Sequence, residues 1–230
     1  YELTVLDLET REVVNSGIGG LSYGLVWAND SHTLFMVVTD EARRPDRVIR
    51  HEVGADQELD VTVFTEADER FWVGVGVTRS ERFIVIGSES KMSSEYWLLD
   101  ADSPASDLSV IEPRREGHEY RISHQGNRLL ILTNDNAVDF RLMETPVHDA
   151  GYTNWEELIP HRAGVRLEDV DVFETFMVVT ERRQGIPVMR VLDHEEGSEF
   201  EIEMSEPIFE AGPGANAEYS TRAFRYGYTS

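Results

Sequence analysis

Four short apolar runs recur along this chain at almost constant spacing, and that regularity restricts the fold more than any other feature. The runs are Leu34 to Val38, Phe83 to Ile86, Leu129 to Leu132 and Phe176 to Val179. Each is rich in β-branched, aliphatic or aromatic residues and too brief for a helix, so each reads as a buried strand. Each leads into a hydroxyl-bearing residue and then charge. These anchors, Thr39, Ser88, Thr133 and Thr180, are separated by 49, 45 and 47 residues. Self-similarity at that period is the signature of β-propeller blades.

Further strands flank every run. Upstream, LVWANDSHTLF, VGVTRSERFIV and YRISHQGNRLL place Asn-Asp, Arg-Ser and Gln-Gly-Asn between two apolar stretches, which is hairpin chemistry. Downstream, DRVIRHEV, EYWLLDAD, DFRLMETP and PVMRVLD supply a third strand. A fourth is expected near Val61 to Phe64, Leu108 to Ile111, Trp155 to Ile159 and Phe200 to Ile202. Four antiparallel strands, repeated, make an all-β propeller segment; a sandwich leaves the even spacing unexplained. Tyr1 to Leu8 with Glu12 to Val14 read as the last two strands of a blade, and Pro207 to Gly212 with Tyr219 to Tyr228 as the first two of another. The expectation is one segment over residues 1–230, with about four whole blades and two complementary half-blades. Those halves are suited either to closing as a fifth blade or to self-association through exposed strand edges with a neighbouring molecule. Tyr1 enters a strand-like alternation directly, which reads as a piece of a longer polypeptide.

Composition narrows the function. Lys and Arg number 21 against 44 Asp and Glu, a formal charge of −23. That field repels phosphate backbones and anionic lipid, so neither nucleic acid nor membrane is an expected partner, whereas basic peptides are attracted. Cysteine is absent, which removes disulfides, thiolate metal sites and a Cys nucleophile, and is compatible with a cytoplasmic home.

Motifs that imitate chemistry fail in their surroundings. Gly20-Leu21-Ser22-Tyr23-Gly24 matches G-x-S-x-G, but a nucleophile elbow needs a helix after the turn, and a hairpin follows here. Of seven histidines, three precede Glu, yet none completes H-E-x-x-H. Isolated at turns and strand ends, they are expected at the solvated surface, and no metal site or cofactor is assigned. Asp100, Asp102 and Asp107 lack the glycine a calcium loop needs at its turn. Trp27, Trp72, Trp97 and Trp155 are expected to pack between blades rather than form a ligand platform. A channel glycosidase would need two converging acids; the nearby pair Asp169 and Asp171 alternates along one strand.

Several segments carry a resemblance. RRPDRVIRHEVG from Arg43, DERFWVGVGVTRSERFIVIGSESKMSSEYWLLDAD from Asp68, ISHQGNRLLILTNDNAVDFRLMETP from Ile122, WEELIPHRAGVRLEDVDVF from Trp155 and FRYGYTS from Phe224 resemble, in colinear order, the propeller of the oligopeptidase B (protease II) group. That group lies within the prolyl oligopeptidase family of serine peptidases. The resemblance implies a seven-bladed propeller that caps an α/β-hydrolase domain bearing Ser, Asp and His, admits only short peptides, and serves cleavage after Lys or Arg. It implies a hydrolase domain as partner and short basic peptides as substrates, with no catalytic residue in this chain.

On that expectation, the acids in the links between second and third strands, Asp40, Glu41, Glu89, Asp135 and Glu181, rim the side turned toward the hydrolase domain. They serve either to draw in cationic peptides or to form ion pairs between domains, since Arg43, Arg44, Lys91, Arg182 and Arg183 share those links. A self-standing propeller that binds peptides or proteins is the alternative reading.

Overall fold

The computed structural model describes all of residues 1–230 as two compact units, Tyr1–Glu116 and Gly117–Ser230. In the first unit, β1 (Leu3–Leu6) and β2 (Val13–Ile18) form a two-stranded sheet. There follow two four-stranded antiparallel meanders. One contains β3 (Leu21–Trp27), β4 (Thr33–Thr39), β5 (Pro45–Glu52) and β6 (Val61–Thr65); the other contains β7 (Trp72–Val77), β8 (Phe83–Glu89), β9 (Ser94–Asp100) and β10 (Ser109–Val110). The second unit repeats the pattern. Its meanders are β11 (Tyr120–Gln125), β12 (Arg128–Thr133), β13 (Arg141–Pro146), β14 (Glu156–Ile159), and β15 (Val165–Val172), β16 (Phe176–Arg183), β17 (Ile186–Asp193), β18 (Ser198–Glu201). It ends on the pair β19 (Glu210–Pro213) and β20 (Tyr226–Thr229). Four whole blades and two half-blades are therefore present, as the spacing predicts.

The second strands explain why the apolar runs show no alternation. In β4, Phe35 and Val37 enter a core shared with Val73, Ile84, Ile86 and Leu99 of the next sheet. Leu34 and Met36 point to the opposite face and pack with Ile18 and Leu3 near the β1–β2 pair. Both faces are buried, so both parities must be apolar. Strand β16 repeats this, with Met177 and Val179 in one core and Phe176 and Val178 in another. Each such side chain contributes about 1.5–3 kcal/mol on burial, which makes sheet-on-sheet stacking the main stabilising term within each unit.

The hairpin turns behave as their residues dictate. Asp30 accepts the backbone N–H of Thr33 at 2.8 Å and its hydroxyl at 2.7 Å, holding Ser31 at a φ of 55°. Gly24 has a φ of 107° at an irregularity in the β3–β4 register.

Three strand boundaries differ from expectation. The pairing of Tyr219–Tyr228 is confined to its end because the buried Asn216 side chain bonds Gly214 O and Arg225 O, replacing the ladder. A 3₁₀ turn, Tyr152–Asn154, precedes β14, and the Trp155 indole donates to Ala150 O at 2.9 Å, so the strand begins at Glu156. The fourth strand expected over Leu108 to Ile111 shortens to two residues.

Candidate functional site

The rim acids occupy unlike surroundings. Asp40 sits in the turn after β4, where it accepts the Arg44 backbone N–H at 2.9 Å and its guanidinium Nε at 3.1 Å. The backbone bond above all, with the guanidinium behind it, holds its carboxyl below the usual aspartate range. Glu41 beside it is exposed. Glu89 ends β8 and accepts the Tyr96 hydroxyl. Asp135, after β12, accepts Arg141 at 3.1 Å and the Tyr152 hydroxyl at 2.8 Å. Glu181 corrects the expectation for its position. It lies inside β16, fully buried, because a two-residue turn at Gln184-Gly185 lets both hairpin arms run past it. It accepts from Arg162, Arg183 and Arg190.

A second group escaped the sequence reading. Glu66, just after β6, is buried and accepts the Ser88 hydroxyl of β8 at 2.6 Å and the Asp68 N–H at 2.8 Å. Arg114, beyond β10, pairs with Glu66 and donates Nε to Glu95 at 2.9 Å, while its guanidinium lies 4.0 Å from the Phe71 ring centroid. Burial pushes Glu66 up, but the Ser88 hydroxyl, the Asp68 amide and Arg114 outweigh it and leave it below the glutamate range. Alongside, Arg70 forks onto Asp68 and lowers it to about 2. These side chains border a cleft of about 490 Å³ lined by Arg70, Phe71, the Ser90–Ser93 turn and Arg114 to Glu116. Phe71 is buried, Met92 is 63% exposed, and the Lys91 ammonium is exposed. The signals were present as a Pro-Arg-Arg after a fourth strand and a lysine in a hairpin turn, but nothing periodic links them.

The histidines require a correction. His51, His118 and His124 are buried. His51 contacts the Asp60 carboxylate through Nδ1 at 2.6 Å, and His118 Nε2 contacts the Thr133 hydroxyl at 3.0 Å. His51 lies in β5 and His124 in β11, while His118 precedes β11; the Asp60 carboxylate and the Thr133 hydroxyl compensate the His51 and His118 rings for lost water. The tryptophans divide. Trp97 packs on Phe64 with centroids 4.3 Å apart and Trp155 is enclosed by Tyr120 and Tyr152, whereas Trp27 and Trp72 are exposed. Ser22 lies in β3, in a hairpin with no helix behind it. Asp100 and Asp102 both accept from Arg82 at 2.7 Å, a polar turn. Asp169 is exposed and Asp171 buried, so they do not converge.

Comparison with known proteins agrees with this architecture. Residues 1–230 match the family model described as "Prolyl oligopeptidase, N-terminal beta-propeller domain". The chain is 33% identical over its whole length to dipeptidyl aminopeptidase BI of Pseudoxanthomonas mexicana, covering 32% of that protein. It is 28% identical, again over its whole length, to Protease 2 of Moraxella lacunata, of which it covers 33%. It thus spans about a third of these curated relatives. Among solved structures, oligopeptidase B from Trypanosoma brucei with covalently bound antipain, in its closed form, superposes with a TM-score of 0.87. The identity is 29%, covering 95% of this chain and 32% of that one.

Proposed function

The chain belongs to the N-terminal β-propeller domain of the prolyl oligopeptidase family, and from that premise we propose that it is the non-catalytic filter and lid of a serine peptidase that cleaves short peptides after Lys or Arg. Bond breaking then belongs to a hydrolase domain of the parent polypeptide, by Ser acyl transfer. The propeller excludes folded substrates and governs access to the active site. The observation that carries this reading is the full-length match to the propeller of peptidases, in a chain whose one G-x-S-x-G lies in a hairpin. The preference for basic residues rests on the sequence resemblance to the oligopeptidase B group, the name that the structural neighbour from Trypanosoma brucei carries.

The proposal includes a cytoplasmic location, with which a cysteine-free sequence is compatible. No helix is long and apolar enough to cross a membrane. It also includes pairing through the edges of the two-stranded sheets β1–β2 and β19–β20, which a concentration series of solution mass would detect.

The filter is tested in the full-length protein by comparing hydrolysis of a short Arg-containing peptide with that of a folded protein rich in exposed Arg. A cysteine introduced at an exposed propeller position and cross-linked to the hydrolase domain then tests gating. Turnover should fall on cross-linking and return on reduction. Unaltered turnover, or equal cleavage of both substrates, rejects the filter.

A further inference from the structure

We propose that the cleft between Phe71 and the Ser90–Ser93 turn binds the free C-terminal carboxylate of a short peptide. This deepens the peptidase reading above and rests on it. In a chain with twice as many acids as bases, the charged groups lining the cleft are Arg70, Lys91, Arg114 and Arg115 against the single acid Glu116. The carboxylates that hold two of these arginines, Asp68 for Arg70 and Glu66 with Glu95 for Arg114, are not lining residues. Arg115 stands 3.7 Å from Glu112. Lys91, at the tip of the turn, has no acidic partner.

Arg114 is fixed by three contacts, the two carboxylates and the Phe71 ring, so little side-chain entropy remains to be lost on binding. Its Nη1 is buried and has no acceptor. A ligand oxygen that reaches it by displacing a lining side chain would satisfy an otherwise unmatched donor. One orphan guanidinium edge and one free ammonium suit a singly charged, planar anion. A phosphate dianion would bring its second charge toward Glu66, Glu95 and Glu116. Phe71 and Met92 supply an apolar wall for the terminal side chain, and the volume accommodates about one or two residues.

Isothermal titration of the protein with N-acetyl-Leu-Ala and with its C-terminal amide tests the assignment, since the two probes differ only in the carboxylate. The acid should bind about tenfold or more tightly than the amide. Lys91→Gln should weaken the acid about three- to tenfold and leave the amide unchanged. Glu116→Gln should tighten the acid, a change that damage to the fold does not produce. Equal affinity for acid and amide, indifference to both substitutions, or displacement of the acid by a lower concentration of inorganic phosphate would overturn the proposal. Binding is read without turnover, so hydrolysis by the full-length protein fails or succeeds separately.

Discussion

The fully buried Glu181 carboxylate receives the Arg190 guanidinium at 2.7 Å from the neighbouring strand, two register positions beyond its direct partner Val188. Arg183, two residues along β16, and Arg162, ahead of β15, complete a cluster around one acid. Removing the acid leaves three cations facing one another. Loss of one partner from a fully buried pair costs about 3–5 kcal/mol. Because these arginines retain partial exposure, Glu181→Gln should cost about 2–3 kcal/mol in urea unfolding. Burial raises the Glu181 pKa, but Arg183 and Arg190 more than reverse it, so it lies below the glutamate range. A depressed folded value stabilises above the unfolded pKa, and that stability is lost as pH falls through the folded one. The wild-type advantage over Glu181→Gln should therefore be full near pH 6 and shrink below about pH 4.

Gly24 offers a separable test of backbone and packing. Its φ is 107°, and a Cβ there would stand 2.9 Å from Val37 Cγ2 in the core. Gly126, at a φ of 59° in the β11–β12 turn, has open space around it. Gly126→Ala should cost only the left-handed penalty, about 1–2 kcal/mol. Gly24→Ala adds a clash with a core methyl and should cost about 2–4 kcal/mol in total. Equal losses in thermal unfolding would show that the β3 irregularity relaxes freely.

The same two-sided burial decides what the sequence could reveal. Leu34 to Val38 is legible as a strand because both of its faces need apolar residues, and its recurrence reveals the blade count. His51 and Glu181 are hidden by that geometry. A polar residue inside a doubly covered strand looks, in one dimension, like an edge or a loop. The partners, Asp60 for His51 and Arg190 for Glu181, lie nine residues away in each case, but Asp60 just ahead of β6 and Arg190 within β17 are brought close by a strand register the sequence does not disclose. The Glu66, Ser88, Glu95 and Arg114 cluster draws on residues from Glu66 to Arg114, spread over about one full repeat. No local pattern brings these together. Asp40 with Arg44 was legible as a pair because one turn contains both.

Ser88 anchors the cluster from the strand side, at 2.6 Å from the Glu66 carboxylate. Ser88→Ala removes a charge-assisted hydrogen bond from a buried acid, which should cost about 1.5–3 kcal/mol at neutral pH. The hydroxyl is among the groups that keep Glu66 low, so its loss should raise the Glu66 pKa. The acid-induced loss of stability should then be smaller, and be complete at a higher pH, in Ser88→Ala than in the wild type, because the folded Glu66 value moves toward the unfolded one. An unmoved limb would mean that Arg114 and the Asp68 amide suffice to hold the carboxylate ionised.

The structure sharpens the steering idea for the rim acids into a ranking. Asp40, Asp135 and Glu181 are bound to arginines within their own units, so their fields are largely cancelled at range. Glu41 is exposed and free of such a partner. If steering operates in the parent enzyme, Glu41→Gln should raise KM for Arg-containing peptides at low ionic strength, by about twofold for one partly screened charge. The effect should vanish near 0.5 M salt, where the Debye length is only about 4 Å. The double substitution Asp40→Asn with Arg44→Gln should leave KM nearly unchanged, since it removes a locally neutral pair, whereas Asp40→Asn alone releases Arg44 and shifts the net field by one charge. A KM for Glu41→Gln that matches the wild type at low salt would remove steering and leave ion pairing as the role of these acids. A kcat change without a KM change would point instead to a role in contacts with the proposed hydrolase domain.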